Sequence, residues 1–199
     1  MRRTILLVAT MALTLLVASG VALAVTKIGT PRDDVLYGTN RSDILSGLGG
    51  NDVLYGRGGG DSSPEGSGLI GAEGDDIIYG GAGNDVMEAG NYRLFMGNPN
   101  WTGYKDQNIL YGGRGNDDVL GDGGSDVLYG GPGADWIDNA YNVPAVRGDI
   151  IYGGGANDFI TSYRRPAVKD IVHCGTGTDV VRADREDQVG GDCEKVVRP

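Results

Sequence analysis

An aspartate recurs every nine residues along this chain, and each one closes a glycine-rich turn. GGAGND ends at Asp85, GGRGND ends at Asp117 and GGPGAD ends at Asp135, and each turn is followed by a short apolar run. The step between aspartates is nine residues wherever no extra residues intervene. A fixed short period indicates a repeat architecture, in which each unit packs only against its neighbours. With 37 glycines and only two Phe and two Trp, the chain also lacks the large side chains of an ordinary compact core.

We number the nine positions of a repeat from its first glycine, so that the aspartate is position 6. Fourteen repeats can be placed, and their position-6 residues are Asp34, Asp43, Asp52, Asp61, Asp76, Asp85, Asn108, Asp117, Asp126, Asp135, Asp149, Asp158, Asp170 and Asp179. Position 8 is aliphatic or Met in every repeat except one, where Ser63 stands. A short apolar run between turns is typical of a strand, and we expect position 8 to point inward.

Position 9 shows that the structural unit is a pair of repeats. Every second repeat carries an aromatic side chain there, namely Tyr37, Tyr55, Tyr79, Tyr111, Tyr129, Tyr152 and finally His173, the only histidine. One coil therefore takes 18 residues and contributes one strand to each of two facing sheets. Coils stack about 4.8 Å apart, which predicts a tyrosine ladder on one sheet. We interpret the ladder as cross-strand aromatic packing, with His173 as a packing substitute. A sugar-binding strip is the alternative.

Four insertions interrupt the repeats, near residues 64–70, 89–102, 139–143 and 162–164. Each precedes an odd-numbered repeat, so we expect all four at one edge of the roll. This odd edge carries the turns that end at Asp34, Asp52, Asp76, Asn108, Asp126, Asp149 and Asp170. The even edge carries those that end at Asp43, Asp61, Asp85, Asp117, Asp135, Asp158 and Asp179. Segment 89–104 holds Tyr92, Phe95, Trp101 and Tyr104. It is a candidate loop for a cell-surface, polysaccharide or protein partner, or else a cover for the coil edge.

The turn chemistry favours a hard cation. Calcium takes six to eight oxygen ligands. Glycines permit positive φ and can direct backbone carbonyls inward, while the aspartate adds a carboxylate. One turn supplies about half a coordination shell, so a site needs two turns of the same edge on successive coils. Stacked carboxylates without a cation would repel one another. The six gaps of the even edge would take up to six Ca2+ ions. The alternative is that these turns are plain glycine turns.

From roughly Gly29 to Arg182 the repeats resemble the RTX family, the haemolysin-type calcium-binding nonapeptide GGxGxDxUx. GGAGNDVME, GGRGNDDVL and GGPGADWID follow that pattern closely. The resemblance implies an all-β fold, a parallel β-roll (β-solenoid) with calcium between turns and no stable structure without calcium. It assigns a ligand role to Asp43, Asp61, Asp85, Asp117, Asp135, Asp158 and Asp179, and on the odd edge to Asp34, Asp52, Asp76 and Asp126. Asn108, Asp149 and Asp170 follow turns that have lost glycines, so the assignment does not extend to them.

The two ends of the chain suggest export. Arg2 and Arg3 precede the apolar stretch 5–18, and Ala22-Leu23-Ala24 fits a cleavage site, so residues 1–24 are interpreted as a secretory signal peptide. An uncleaved membrane anchor is the alternative. We expect no membrane span in the mature chain, a β-roll over residues 25–182 and a cap over 183–199. Cys174 and Cys193 lie about one coil apart, which brings them within disulfide range. Export favours oxidation, so we predict a bridge rather than free thiols.

The net charge and the absence of catalytic motifs exclude some classes of function. The net charge of −10 argues against nucleic-acid binding. The chain has no GxSxG or HExxH motif, so we expect no catalytic residues. We predict a secreted, extracellular calcium-binding roll with a structural or adhesive role. The alternative is a polysaccharide-active enzyme that uses a carboxylate pair, for which Glu88 and Asp138 are outward-facing candidates on the sheet without the tyrosines.

Overall fold

The chain winds into a parallel β-roll. The structure is a computed structural model that describes residues 23–63, 66–90, 106–139, 147–164 and 167–199. These residues form two facing parallel sheets and a short hairpin, without a helix among them. The predicted all-β solenoid is therefore confirmed. Most of the predicted signal peptide, residues 1–22, lies outside the described residues. None of the described residues belongs to a helix long and apolar enough to span a membrane.

One sheet carries the tyrosines, and we call it the tyrosine sheet. Its eight strands are β2 (Val35–Tyr37), β4 (Val53–Gly58), β8 (Ile77–Ala82), β10 (Ile109–Arg114), β12 (Val127–Pro132), β14 (Ile150–Gly155), β16 (Ile171–Thr176) and β18 (Gln188–Val189). Neighbours are parallel and in register one coil apart, as in the pairing of Tyr111 with Tyr129. Most of these strands run on into the turn that follows them, which is why they reach six residues.

The facing sheet, which we call the opposite sheet, has nine strands. They are β1 (Thr26–Ile28), β3 (Ile44–Gly49), β7 (Leu69–Glu73), β9 (Val86–Glu88), β11 (Asp118–Leu120), β13 (Trp136–Asp138), β15 (Phe159–Thr161), β17 (Val180–Arg182) and β19 (Lys195–Val197). Even-edge turns lead from the tyrosine sheet to the opposite sheet, and odd-edge turns lead back. The two edges of the roll are therefore two separate stacks of turns.

A single column of apolar side chains forms the core between the sheets. The fully buried members at position 8 are Leu45, Leu54, Ile78, Met87, Leu110, Val119, Leu128, Ile137, Ile151, Ile160, Val172 and Val181. Leu36 packs against this column while partly buried. Positions 7 and 9 point outward because successive side chains of a strand alternate between its two faces. The prediction that position 8 faces inward is confirmed for these residues.

The first insertion lies earlier in the chain than the spacing predicted. Ser62–Ser63 (β5) pairs antiparallel with Gly66–Ser67 (β6) in a hairpin, while Leu69 pairs with Leu45 and Met87 and is fully buried. The inward position of this coil therefore belongs to Leu69, and the placement of Ser63 there was wrong. Burying a hydroxyl among aliphatic side chains costs free energy unless it is hydrogen-bonded, which favours Leu69.

This correction also changes the edge from which the segment leaves the roll. The inserted residues are 62–67, directly after Asp61 at the even edge, so the expectation that every insertion lies at the odd edge was wrong. The other three insertions begin later than predicted. Ala89, Asn139 and Ser162 still donate backbone hydrogen bonds to the next coil. Of the candidate partner loop 89–104, residues 91–104 lie outside the described residues.

The tyrosine ladder forms as predicted. Six tyrosine rings and His173 stack in sequence with centroids 4.7–5.2 Å apart and nearly parallel planes. Each ring face between the two ends of the ladder is therefore covered by a neighbouring ring, and the Arg57 guanidinium lies 5.1 Å from the Tyr37 ring centroid. Sugars stack on exposed aromatic faces. The geometry thus fits the packing interpretation of the ladder and His173 rather than a sugar-binding strip.

The tail continues the coil instead of leaving it. β18 pairs with β16, and β19 pairs with β17, so residues 183–199 add strands to both sheets. Cys174 and Cys193 form the predicted disulfide, with their α-carbons 5.2 Å apart. The bridge thus joins the last full tyrosine-sheet strand to the segment between β18 and β19.

Candidate metal centre

The position-6 side chains form a hydrogen-bonded ladder along each edge. In each turn, the backbone amide of the position-6 residue donates to Oδ1 of the position-6 residue one coil further on. On the even edge this links Asp43, Asp61, Asp85, Asp117, Asp135, Asp158 and Asp179 at 2.7–2.9 Å. On the odd edge it links Asp34, Asp52, Asp76, Asn108, Asp126, Asp149 and Asp170 at 2.6–2.9 Å. One carboxylate oxygen per turn is thus committed to the fold itself.

The second carboxylate oxygen has no such role in eight of these turns. Oδ2 is buried and lacks a hydrogen-bond partner at Asp52, Asp61, Asp76, Asp85, Asp117, Asp135, Asp158 and Asp179. A buried polar atom without a partner costs free energy, and native proteins contain few of them. Eight turns have the same unpartnered oxygen, which indicates that the same kind of ligand binds at each of them.

The same eight turns share an unusual backbone. Position 2 has positive φ, from 79° to 119°, at Leu48, Arg57, Ala72, Gly81, Gly113, Gly131, Gly154 and Gly175. Position 4 has positive φ, from 81° to 157°, at Gly50, Gly59, Gly74, Gly83, Gly115, Gly133, Ala156 and Gly177. Four of these residues are not glycine, although positive φ costs an ordinary L-residue roughly 1 kcal/mol or more. Strain of this kind concentrates at binding sites.

Three of the eleven predicted ligands stand in a different kind of turn. Position 2 is Thr30, Thr39 or Asp122 in the turns of Asp34, Asp43 and Asp126, and none of the three has positive φ. In each case the position-2 amide donates to Oδ2 of the aspartate. The second oxygen of these carboxylates is therefore already hydrogen-bonded. A residue other than glycine at position 2 does not by itself distinguish the two kinds of turn, because Leu48, Arg57 and Ala72 also have positive φ there. We call the eight turns with positive φ at positions 2 and 4 and an unpartnered Oδ2 the open turns.

The glycine-poor turns of the odd edge make different contacts. Asn108 is buried and keeps the ladder through its amide oxygen. Oδ2 of Asp149 and of Asp170 accepts hydrogen bonds from the Asn139 amide at 2.9 and 3.0 Å. The Arg164 guanidinium contacts both carboxylates as well. These two aspartates thus lie beside a positive charge supplied by the chain.

The first glycine of a turn leaves room for the carboxylate. A Cβ at Gly56 would lie 2.1 Å from Oδ2 of Asp61 and 2.5 Å from the carbonyl oxygen of Gly80 on the next coil. Both distances are too short for a carbon atom. The unpartnered carboxylate oxygen is therefore held beside the backbone of its own turn, next to a carbonyl of the following one.

Burial raises the pKa of the carboxylates in this stack. The pKa rises from 3.8 to about 7 for Asp61, Asp76 and Asp135, and to about 6 for Asp117 and Asp158. The first cause in each case is desolvation, and neighbouring carboxylates add to it. Without a cation these groups hold protons near neutral pH, so a nearby positive charge would stabilise their ionised form.

The donor set fits calcium. The described residues contain no group of three or more His, Cys, Asp or Glu side chains that could hold a metal. A cation at the turns would therefore take carboxylate oxygens from single aspartates and the rest from backbone carbonyls. Such an oxygen-only set is the one that Ca2+ prefers, and it excludes the nitrogen and sulfur sites of zinc.

The RTX calcium-binding nonapeptide repeat matches the chain in four copies, at residues 28–62, 69–91, 102–138 and 148–163, which together make up more than half of it. The chain belongs to the RTX calcium-binding repeat family. RTX repeats bind Ca2+ and form a β-roll, as this chain does. A search of curated proteins finds no match to this chain.

Sequence reasoning missed the residues that end both stacks. Asp179 donates its amide to Oε2 of Glu194, and Asp170 donates its amide to Oδ1 of Asp187, so the ladders continue into the tail of this RTX chain. Asp187 does not follow a glycine turn and Glu194 follows only the short segment GGDC, so the nonapeptide spacing gave no signal for either acceptor.

Proposed function

We propose that this RTX chain binds calcium between successive turns of the same edge and that calcium binding completes its fold. The observation that carries the proposal is the coincidence, in eight turns, of two positive-φ residues with a buried and unpartnered Oδ2. Asp52, Asp61, Asp76, Asp85, Asp117, Asp135, Asp158 and Asp179 would hold the ions together with backbone carbonyls. The remaining candidates, Asp34, Asp43 and Asp126, would contribute less because their second oxygen is hydrogen-bonded.

The proposal predicts how the ions are distributed. Five gaps of the even edge lie between two open turns, namely Asp61/Asp85, Asp85/Asp117, Asp117/Asp135, Asp135/Asp158 and Asp158/Asp179. One gap of the odd edge, Asp52/Asp76, has the same property. We therefore propose about six ions, one of them on the odd edge. The bound ion would supply the positive charge that the desolvated carboxylates lack.

We further propose that the roll works outside the cell in a structural or adhesive role. RTX repeats and a disulfide are consistent with an extracellular protein. The roll is acidic, which suits a protein whose stability depends on bound cations. An enzymatic role has little support, because the RTX family is mainly non-enzymatic and Glu88 is buried rather than exposed as expected.

The ion count tests the proposal. The chain from Val25 to Pro199 would be saturated with calcium, dialysed against the same buffer, and its bound calcium measured by atomic emission. Wild type should hold about six ions per chain. Replacing Asp52 and Asp76 together by Asn should remove about one ion, because the only open gap of the odd edge is lost.

A matched pair of substitutions gives the control. Asp34→Asn with Asp126→Asn also removes two odd-edge carboxylates, but their second oxygens are already hydrogen-bonded, so the count should stay the same. Equal losses in the two double variants would contradict the division of the turns into two kinds. A wild-type chain that retains no calcium would overturn the proposal.

A further inference from the structure

A buried arginine lies between two stacked carboxylates at the C-terminal end of the odd edge. Arg164 is 4 % exposed, and Asp149 and Asp170 are 1 % and 0 % exposed. Its Nη2 is hydrogen-bonded to Oδ2 of Asp149, and its Nε lies 3.8 Å from Oδ2 of Asp170. Two carboxylates of successive coils thus share one guanidinium.

The same coils look different at the even edge. There Asp135, Asp158 and Asp179 have buried Oδ2 atoms without a partner, which is the condition that we attribute to a calcium site. At the odd edge the corresponding oxygens of Asp149 and Asp170 meet Arg164 and the Asn139 amide. The contrast lies within one stretch of the roll, so it comes from local sequence and not from position along the stack.

The turns that end at Asp149 and Asp170 also differ in sequence from the turns to which we assign calcium. The turns read PAVRGD and RPAVKD, without the glycines that give positive φ at positions 2 and 4 elsewhere. Arg164 itself lies in the insertion that follows Ser162, which has no counterpart in the uninterrupted coils. The positive charge and the loss of the glycines occur at the same gap.

We propose that Arg164 takes the place of calcium between Asp149 and Asp170, so that this gap is closed to the ion and the odd edge of the C-terminal coils holds together without metal. The proposal rests on the calcium function proposed above. A guanidinium is always charged and can bridge two carboxylates, which makes it a suitable substitute for a cation. Arg164 is thus a residue that decides where calcium binds along the roll.

Neighbouring contacts continue along the odd edge to the tail of the chain. The Arg164 amide donates to Oδ2 of Asp184, and the Ser162 hydroxyl donates to Oδ2 of Asp187. Asp187 also accepts from the amides of Asp170 and Asp184. Together with the disulfide, these bonds tie the last coils together along the odd edge through protein groups alone.

Hydrogen exchange measured by mass spectrometry on the chain from Val25 to Pro199, with and without chelator, tests this proposal. In chelator the strands β16, β17 and β19 should stay protected, while β4, β8 and β10 exchange freely. Arg164→Gln should raise exchange in β16 and β17 in chelator on the order of 100-fold, because it leaves two buried carboxylates without their cation. Arg147→Gln, at an exposed arginine two residues before Asp149, is the matched control and should leave exchange unchanged.

A second variant separates lost charge from lost packing. Arg164→Gln combined with Asp149→Asn and Asp170→Asn removes the arginine and both carboxylates, and it should restore most of the protection in chelator. Failure of this rescue, or β16 and β17 exchanging as fast as β8 in wild type, would overturn the role of Arg164. If the whole chain ignores calcium, the calcium function falls, while the exchange measured in chelator still decides whether Arg164 clamps the two carboxylates.

Discussion

At the scale of single residues, the aspartate of each turn has two separable tasks. Oδ1 accepts a hydrogen bond from the amide of the preceding coil, and Oδ2 has no hydrogen-bond partner in eight turns, where we propose that it binds a cation. The odd edge contains a natural variant of the first task, because Asn108 accepts the amide of Asp76 at 2.8 Å without carrying a charge. An asparagine can therefore keep the ladder while removing the ionic part of the site.

Asp117→Asn should have opposite effects with and without calcium. In calcium titrations the variant should need a higher calcium concentration for folding, because the two gaps beside Asp117 each lose one charged ligand. In chelator it should keep more β-sheet ellipticity than wild type, since a buried unpaired carboxylate is replaced by a neutral group. Far-UV circular dichroism, recorded in chelator and during calcium titrations, measures both effects.

The exposed Asp75 provides the control for this variant, since it is also an aspartate of a turn but not at position 6. Asp75→Asn should leave the calcium midpoint unchanged within error. A variant at Asp117 that loses stability equally in calcium and in chelator would mean that the carboxylate acts only as a turn former.

The raised pKa values predict an unusual pH dependence for the calcium-free protein. The pKa of Asp61, Asp76 and Asp135 is about 7 in the fold against 3.8 as the ordinary value. The folded state therefore binds protons more tightly than the unfolded chain, and this stabilisation is present at acid pH and is lost as the pH rises through about 7. Protein dialysed free of calcium should show more β-sheet ellipticity at pH 5 than at pH 8.

In the presence of calcium the pH dependence of folding should have the opposite sign. Calcium binding requires ionised carboxylates, so the calcium midpoint should increase as the pH falls from 8 to 5. Circular dichroism from pH 5 to pH 8 measures the β-sheet ellipticity without calcium and the calcium midpoint, and so tests whether the two pH dependences are opposite. Parallel trends would show that the buried carboxylates titrate independently of the ion.

At the scale of structural elements, the hairpin after Asp61 leaves the core column intact, because Leu69 takes the inward position of its coil. The hairpin formed by residues 62–67 leaves directly after Asp61 and returns at Gly68, where a Cβ would lie 2.3 Å from the Asp61 carbonyl carbon. The two ends of the hairpin are therefore adjacent. Removing its six residues would restore the nine-residue step from Asp61 to Asp76.

Deletion of residues 62–67 should thus be nearly neutral, within about 1 kcal/mol, because loop length has only a weak effect on stability. Deletion of residues 65–70 is the matched control, since it also removes six residues and restores the spacing. It leaves Ser63 in place of Leu69 and should cost about 2–5 kcal/mol. Urea unfolding in saturating calcium compares them, and equal stabilities would contradict the assignment of Leu69 to the core.

At the scale of the whole molecule, the repeat period alone predicted most of the architecture. The alternation of tyrosine at position 9 was enough to infer the two sheets, the 18-residue coil and the ladder. It also brought Cys174 and Cys193 to neighbouring coils. These features follow from period and side-chain alternation, which are local properties of the sequence.

The sequence-based predictions failed where spacing alone could not decide which residue occupies a position. Ser63 and Leu69 both fit after Asp61 by counting, and only burial in the folded coil decides between them. Arg164 looked like part of a short insertion, because nothing in the repeat pattern indicates that its side chain folds back between Asp149 and Asp170. The division of the turns depends on φ at position 2, where Thr39 and Arg57 look equally irregular in sequence but differ in conformation.

The most direct test of the account is a calcium titration of the chain from Val25 to Pro199, stripped with chelator and followed by far-UV circular dichroism. The account predicts a large, cooperative gain of β-sheet signal that an equal concentration of magnesium does not reproduce, because Mg2+ demands a tighter octahedral shell and keeps its waters. A chain that shows its full β-sheet signal in chelator and does not respond to calcium would contradict the account.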